Sequence, residues 1–97
     1  MNKDLQKYID GVGLNILYSN YHKSTNGIWS SAEVVDKGTF IDPDDIEMTY
    51  YEVCITYGCQ DDTRDEKYDE VIFVHFDKTQ EVWSHGNCNP EVDGENK

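Results

Sequence analysis

Carboxylates are the side chains that this sequence concentrates most strongly. They gather in two stretches, 42–52 and 61–70, and residues 42–70 together hold eleven acids and two cations, a net charge of −9. Charge of this density attracts cationic surfaces and speeds encounter with a basic partner. The acids are Asp42, Asp44, Asp45, Glu47, Glu52, Asp61, Asp62, Asp65, Glu66, Asp69 and Glu70.

Two tyrosines lie close to the second stretch. Tyr57 precedes it by four residues, and Tyr68 lies within it. A protein that blocks a nucleic-acid-handling enzyme needs carboxylates in place of phosphates, and rigid aromatic rings that add contact area at low entropic cost. We therefore predict that the eleven acids, Tyr57 and Tyr68 bind a partner protein. The alternative is a pair of solvated loops whose charge serves solubility alone.

Two further uses of the carboxylates fit the sequence less well. A calcium loop needs acids at alternate positions, a glycine and a late Glu, and Arg64 and Lys67 interrupt the second stretch. General acid catalysis needs an apolar pocket that raises the pKa of one carboxyl group, whereas acids in loops are solvated. The sequence thus predicts no catalytic residue, no cofactor and no metal site among the acids.

Thiols and imidazoles offer a different chemistry. Cys54, Cys59, His85 and Cys88 are of the type that binds zinc, but their spacing lacks a C-x-x-C pair. No local pattern activates a cysteine beside His75 or His85. A small zinc-binding or cysteine-dependent domain is the alternative from this class. Three cysteines are an odd number, which favours reduced thiols.

Composition limits the partners. The chain of 97 residues has 20 acids and 8 Lys or Arg, a net charge of −12, which disfavours direct binding to nucleic acid. No apolar run approaches the roughly 20 residues that span a bilayer, which predicts no membrane association. The first seven residues lack the apolar core of a signal peptide, so we expect a cytoplasmic protein.

Apolar spacing at the start of the chain indicates a short helix from residue 1 to 10, with Gly11 and Gly13 as its stop. The alternation from Leu14 to Tyr18 favours a strand, although a helix extended through Leu14, Leu17 and Tyr21 is the competing interpretation. Asn26-Gly27 is a hairpin signal when strands flank it.

Strands are predicted through the rest of the chain. Thr49 to Tyr57 shows the clearest alternation, and Val71 to Phe76 is apolar on both faces, as in a central strand. The ten residues 61–70 between them read as a loop. The other predicted strand segments are Ile28 to Val35, Thr39 to Ile41 and Glu81 to Trp83.

These elements predict an α+β fold, with a short N-terminal helix packed on a four- to five-stranded, mainly antiparallel sheet. Residues 1–86 are expected to form a single small acidic domain, followed by a flexible tail over 87–97. High charge favours a monomer, and tyrosine-rich strands favour edge-to-edge pairing in a symmetric dimer, so both states stay open.

The hypothesis that unites these features is a small acidic inhibitor that occupies a basic, nucleic-acid-binding surface of a larger enzyme. In size, charge and lack of a catalytic pattern the chain resembles the anti-restriction and anti-CRISPR proteins of phages and mobile elements, some of which imitate DNA. This resemblance rests on no sequence motif. An immunity protein that neutralises a nuclease toxin is an alternative with the same physics.

Overall fold

A computed structural model describes residues 3–90, and in this range the chain forms a helix followed by four strands. The strands form an antiparallel sheet in the order β1-β2-β3-β4, and the helix packs on it. The predicted α+β fold is confirmed. The elements are α1 (Lys3–Asn20), β1 (Ile28–Ile41), β2 (Glu47–Gln60), β3 (Asp65–Asp77) and β4 (Val82–Gly86).

Helix α1 is longer than the sequence predicts. It continues through Gly11 and Gly13 to Asn20, so the predicted strand from Leu14 to Tyr18 is wrong and the competing helical interpretation is correct. The alternating Leu14 and Tyr18 are 43% and 39% exposed, whereas the buried residues follow helical spacing. The buried residues are Leu5, Ile9, Val12, Gly13 and Leu17. Among the described residues, no helix has the length and apolar character that crossing a membrane requires.

The strands differ from the prediction mainly at their ends. β1 joins the two predicted pieces, and β2 extends the predicted Thr49 to Tyr57 strand at both ends. β3 begins at Asp65, so most of the predicted acidic loop is strand. β4 is Val82–Gly86 where Glu81 to Trp83 was predicted.

The chain divides into two compact units. Of the described residues, unit 1 holds 3–33 and 54–70, and unit 2 holds 34–53 and 71–90. The single domain over 1–86 stays a prediction. Residues 91–97, which make up most of the predicted flexible tail, lie outside the described residues.

Unit 1 is built on the contact of α1 with strand residues. A Cβ on Gly13 would lie 3.6 Å from Cγ2 of Ile55, so the helix comes close to β2 at this point. Gln6 Nε2 donates a hydrogen bond to the carbonyl oxygen of Ala32, 3.3 Å away. Asn26-Gly27 lies between α1 and β1, not in a hairpin, because a helix precedes it, and Gly27 adopts a φ of 82°.

Unit 2 has an aromatic centre. The ring of the buried Tyr50 lies 6.3 Å from the ring of Phe40 and 6.1 Å from that of Phe73. A Cβ on Gly38 would lie 2.6 Å from the Tyr50 hydroxyl. The Tyr50 ring therefore lies over the β1 backbone at Gly38, where no side chain blocks it. The remaining buried apolar side chains of the unit are Met48, Val53, Ile72 and Val74.

The segment of β3 in unit 2 has one fully covered face and one partly covered face, whereas the prediction was cover on both, and Phe73 and His75 are half-buried on the second. Ile72 and Val74 are 2% and 0% exposed, whereas Val71 is 44% exposed. β4 pairs with β3 from Phe73 to Asp77, and the pair Phe76 and Trp83 has ring centroids 5.1 Å apart. Trp83 is half-buried and packs edge to face against Phe76.

Gly58 of β2 provides a test of this packing. A Cβ at Gly58 would collide with the carbonyl oxygen of Glu66 on β3, so Gly58→Ala should lower the free energy of unfolding by about 3 kcal/mol. Gly11→Ala is the matched control, because a Cβ there meets nothing within 4 Å. In a helix interior this change should raise the free energy of unfolding by about 0.5–1 kcal/mol. Urea denaturation followed by circular dichroism measures both, and equal effects would contradict the close approach.

Candidate functional site

The second acidic stretch forms the end of the β2–β3 hairpin in unit 1, called here the acidic hairpin end and comprising residues 56–70. The turn proper covers only 61–64, and Asp65–Glu70 belong to β3. The predicted ten-residue loop is therefore wrong. Its acids lie largely on a strand, whose backbone fixes the direction of each side chain far better than a loop does.

Asp61 holds the turn together. Its Oδ1 accepts hydrogen bonds from the Thr63 amide at 2.7 Å, the Thr63 hydroxyl at 2.9 Å and the Arg64 amide at 2.9 Å. The Thr63 amide above all, followed by the Thr63 hydroxyl, holds the pKa of Asp61 below its ordinary value of 3.8. This carboxylate is committed to its own turn and has less capacity left for a partner.

Two acids of the adjoining strand are held by hydroxyl groups from elsewhere in unit 1. The Tyr21 hydroxyl donates to Oε1 of Glu66 over 2.7 Å, and the Thr56 hydroxyl donates to Oδ1 of Asp69 over 2.9 Å. The hydrogen bond to Glu66 is the main reason that the pKa of Tyr21 rises from 10.0 to about 12. Both carboxylates are thus oriented before any partner arrives.

Tyr68 lies between these two acids in sequence and is 48% exposed. Its ring centroid is 5.5 Å from that of the half-buried Tyr57, with 33° between the ring planes. Such a pair restricts both rings and leaves one side of Tyr68 to solvent. The exposed Asp62 and Asp65 and the half-buried Glu70 complete the acids of the acidic hairpin end.

The first acidic stretch lies in unit 2. Asp42 Oδ1 accepts hydrogen bonds from the amides of Asp44 and Ile46, both at 2.9 Å, so Asp42 shapes the turn between β1 and β2. Asp45 has a φ of 60° in this turn. Asp44, Asp45 and Glu47 are exposed, whereas Glu52 is half-buried within β2.

The structure thus assigns the thirteen predicted residues to two units. The acidic hairpin end of unit 1 contains Tyr57, Asp61, Asp62, Asp65, Glu66, Tyr68, Asp69 and Glu70. Unit 2 contains Asp42, Asp44, Asp45, Glu47 and Glu52. A single surface made by both sets stays a prediction.

Sequence reasoning missed Tyr21 and Thr56, the two hydroxyl donors. Tyr21 lies 45 residues from Glu66 along the chain, and Thr56 lies 13 residues from Asp69. No local pattern signals either pairing. The turn roles of Asp42 and Asp61 had a signal, because Asp favours hydrogen bonds to backbone amides two residues further on.

The thiols and imidazoles do not assemble into a metal site within residues 3–90. No group of three or more His, Cys, Asp or Glu side chains in this range is placed to hold a metal ion. All three cysteines are free, and the buried Cys59 donates its S–H to the carbonyl oxygen of Asn26 at 3.2 Å. The zinc-binding alternative with Cys54, Cys59, His85 and Cys88 therefore has no geometric support among the described residues.

Chemically, the acidic hairpin end is suited to binding cations. Its acids are exposed or half-buried, and within the described residues no polar or charged side chain is fully buried. Desolvation, which turns a carboxyl group into a general acid at neutral pH, is therefore weak at these positions.

No protein-family model, curated protein or solved structure matches this chain.

The hydrogen bond between Tyr21 and Glu66 can be tested through the tyrosine. Glu66→Gln should return the pKa of Tyr21 from about 12 toward 10.0, because the carboxylate is the main cause of the shift. The raised pKa stabilises the folded state below pH 10, and this contribution is lost as the pH rises from 10 to about 12. NMR titration of the Tyr21 ring carbon measures the shift, with Asp69→Asn as the control that leaves Glu66 intact. An unchanged Tyr21 titration in Glu66→Gln would contradict the hydrogen bond.

The hydrogen bonds of Asp61 predict that the free energy of unfolding depends on pH in the acidic range. Because its pKa is lowered on folding, Asp61 stabilises the folded state above pH 3.8, and this contribution disappears as the pH falls through the folded-state pKa. Asp61→Asn keeps an acceptor oxygen for the turn and should remove this pH dependence. Asp61→Ala should be less stable than Asp61→Asn at pH 7. Urea denaturation at several pH values measures both, and Asp62→Asn serves as the neighbouring control.

Proposed function

We propose that this protein is a cytoplasmic binding protein that inhibits a larger enzyme by occupying its basic, nucleic-acid-binding surface. The contact surface is the acidic hairpin end. The observation that carries the proposal is the oriented carboxylate of Glu66, which lies two residues before the exposed Tyr68 and therefore on the same face of β3. Charges that serve solubility alone need no fixed direction.

Orientation matters because it reduces the entropic cost of binding. A carboxylate that must be ordered on contact loses rotamer freedom, at a cost of about 0.5–1.5 kcal/mol for a flexible side chain. The hydrogen bond from Tyr21 orients Glu66 in the free protein, so this cost does not arise on binding. Tyr68, restricted by Tyr57, adds an aromatic contact of the kind that contributes most of the binding energy in protein interfaces.

Charge explains the choice of partner. The net charge of −12 gives a field that attracts a basic surface and repels nucleic acid itself. A protein surface that binds nucleic acid offers Lys and Arg where phosphates normally lie, and carboxylates can take those places. A nuclease toxin with such a surface is also a suitable partner, so an immunity protein stays the alternative. The identity of the captured partner decides between the two.

The experiment is affinity capture of nucleic-acid enzymes from a bacterial lysate at low and moderate salt, followed by competition with nucleic acid. We expect capture of a nucleic-acid-processing enzyme that salt weakens and that its own nucleic acid displaces. Charge reversal at the exposed Asp62 and Asp65 should abolish capture. The same reversal at Asp36 and Glu81, two exposed acids outside the thirteen predicted residues, is the matched control for net charge.

Two uncharged substitutions separate orientation from charge. Thr56→Val and Tyr21→Phe each remove one hydroxyl donor and leave the net charge unchanged. If the oriented Glu66 binds the partner, Tyr21→Phe should weaken binding by about fivefold, which is the usual effect of one hydrogen bond. Thr56→Val, whose partner Asp69 points to the opposite face of β3, should leave binding unchanged. Unchanged affinity in Tyr21→Phe, or a partner that nucleic acid does not displace, would overturn the proposal.

A further inference from the structure

Unit 2 contains a cleft of about 370 Å³ that the proposed function does not use. It is lined by the end of β1, the turn that follows, β3, and the chain from His85 to Pro90. Aromatic and apolar side chains make up much of its wall, notably Phe40, Ile41, Pro43 and Phe73. A concave apolar surface with a few polar groups is the usual form of a binding site.

The rings in this wall hold one another in place. Phe40 and His75 meet edge to face with centroids 5.4 Å apart, and Phe73 meets the buried Tyr50 in the same way at 6.1 Å. Phe40, Phe73 and His75 are each half-buried, so each ring keeps an accessible part in the cleft. The negative face of an aromatic ring attracts cations that lie above it.

The charge around the cleft has one sign. Asp42 is among its lining residues, and neither Lys nor Arg is. The hydrogen bonds that Asp42 accepts in the turn go to its Oδ1 and hold this carboxylate at the edge of the cleft. The described part of unit 2 contains eight acids and two lysines, so a cation gains from the field as well as from this carboxylate.

We propose that this cleft accepts an arginine side chain of a partner protein, with the guanidinium between the aromatic rings and the Asp42 carboxylate. Arginine is favoured over lysine because its planar, weakly hydrated cation stacks on rings and binds carboxylates through two N–H groups. That the arginine comes from a partner rests on the proposed function, because a basic nucleic-acid-binding surface is rich in this residue. That the cleft binds a guanidinium stands on its own geometry.

The test is an NMR titration of the ¹⁵N-labelled full chain with N-acetyl-arginine methylamide. We expect saturable shifts confined to residues 40–43, 73–75 and 85–88. The lysine analogue should bind about threefold more weakly or worse, because it lacks a planar face. Equal binding of the uncharged norleucine analogue, or shifts centred on residues 61–70, would overturn the proposal.

Two substitutions test the named groups. Asp42→Asn keeps an acceptor for the turn amides and removes the charge, and it should weaken arginine binding by about fivefold. Phe40→Leu keeps an apolar wall without the ring and should weaken it to a similar extent. Tyr18→Leu, which removes an exposed ring of α1 outside the cleft, is the matched control, and each variant's spectrum reports whether it is folded. Full arginine binding by folded Asp42→Asn would overturn the assigned role of that carboxylate.

This design separates the inference from the proposed function. Reversal at Asp62 and Asp65 should abolish partner capture and leave the arginine titration intact. If a partner is captured and arginine does not bind in the cleft, the inference alone is wrong. If arginine binds in the cleft and no basic partner is found, the proposed function alone is wrong.

Discussion

Burial of one face of α1 is the constraint on which unit 1 depends. Leu5, Ile9 and Leu17 are at most 2% exposed, and each such side chain contributes about 1.5–3 kcal/mol when removed from water. A helix of this length is marginal in isolation, so its contact with the sheet stabilises the helix as well as the core. Tyr21 follows directly after the helix, and its hydroxyl reaches Glu66 only because α1 is held in place.

Much of the fold could be predicted from the sequence, and the errors have identifiable causes. Gly11 and Gly13 read as helix stops because each costs about 1 kcal/mol in a helix interior. Burial on both sides of them outweighs this cost, and Gly13 itself packs on β2, where a Cβ would lie at an ordinary van der Waals distance of 3.6 Å from Ile55. The alternation of Leu14, Ile16 and Tyr18 imitates a strand, but the exposure of Leu14 and Tyr18 shows that this pattern faces solvent.

The sequence predicted which residues belong to the candidate site, but not how their side chains are arranged in space. Acid density identified the residues, and the local Asp signals explain the turns at Asp42 and Asp61. The contacts that orient Glu66 and Asp69 come from residues distant in the chain, which a single sequence does not pair. The cleft of unit 2 was missed for the same reason, because its wall combines Phe40, Phe73 and Pro90 from three separate segments.

The acids of β3 also affect how two copies of this chain would meet at a strand edge. Within the described residues β4 pairs with β3 only from Phe73 to Asp77, so the preceding part of that edge, 65–72, carries backbone groups that β4 does not cover. An open strand edge is a template for pairing with another chain. Asp65, Glu66, Asp69 and Glu70 give every copy of this edge the same sign of charge, and two copies that approach in register repel each other. The segment that we propose to bind a cationic partner therefore also disfavours pairing with a second copy of itself.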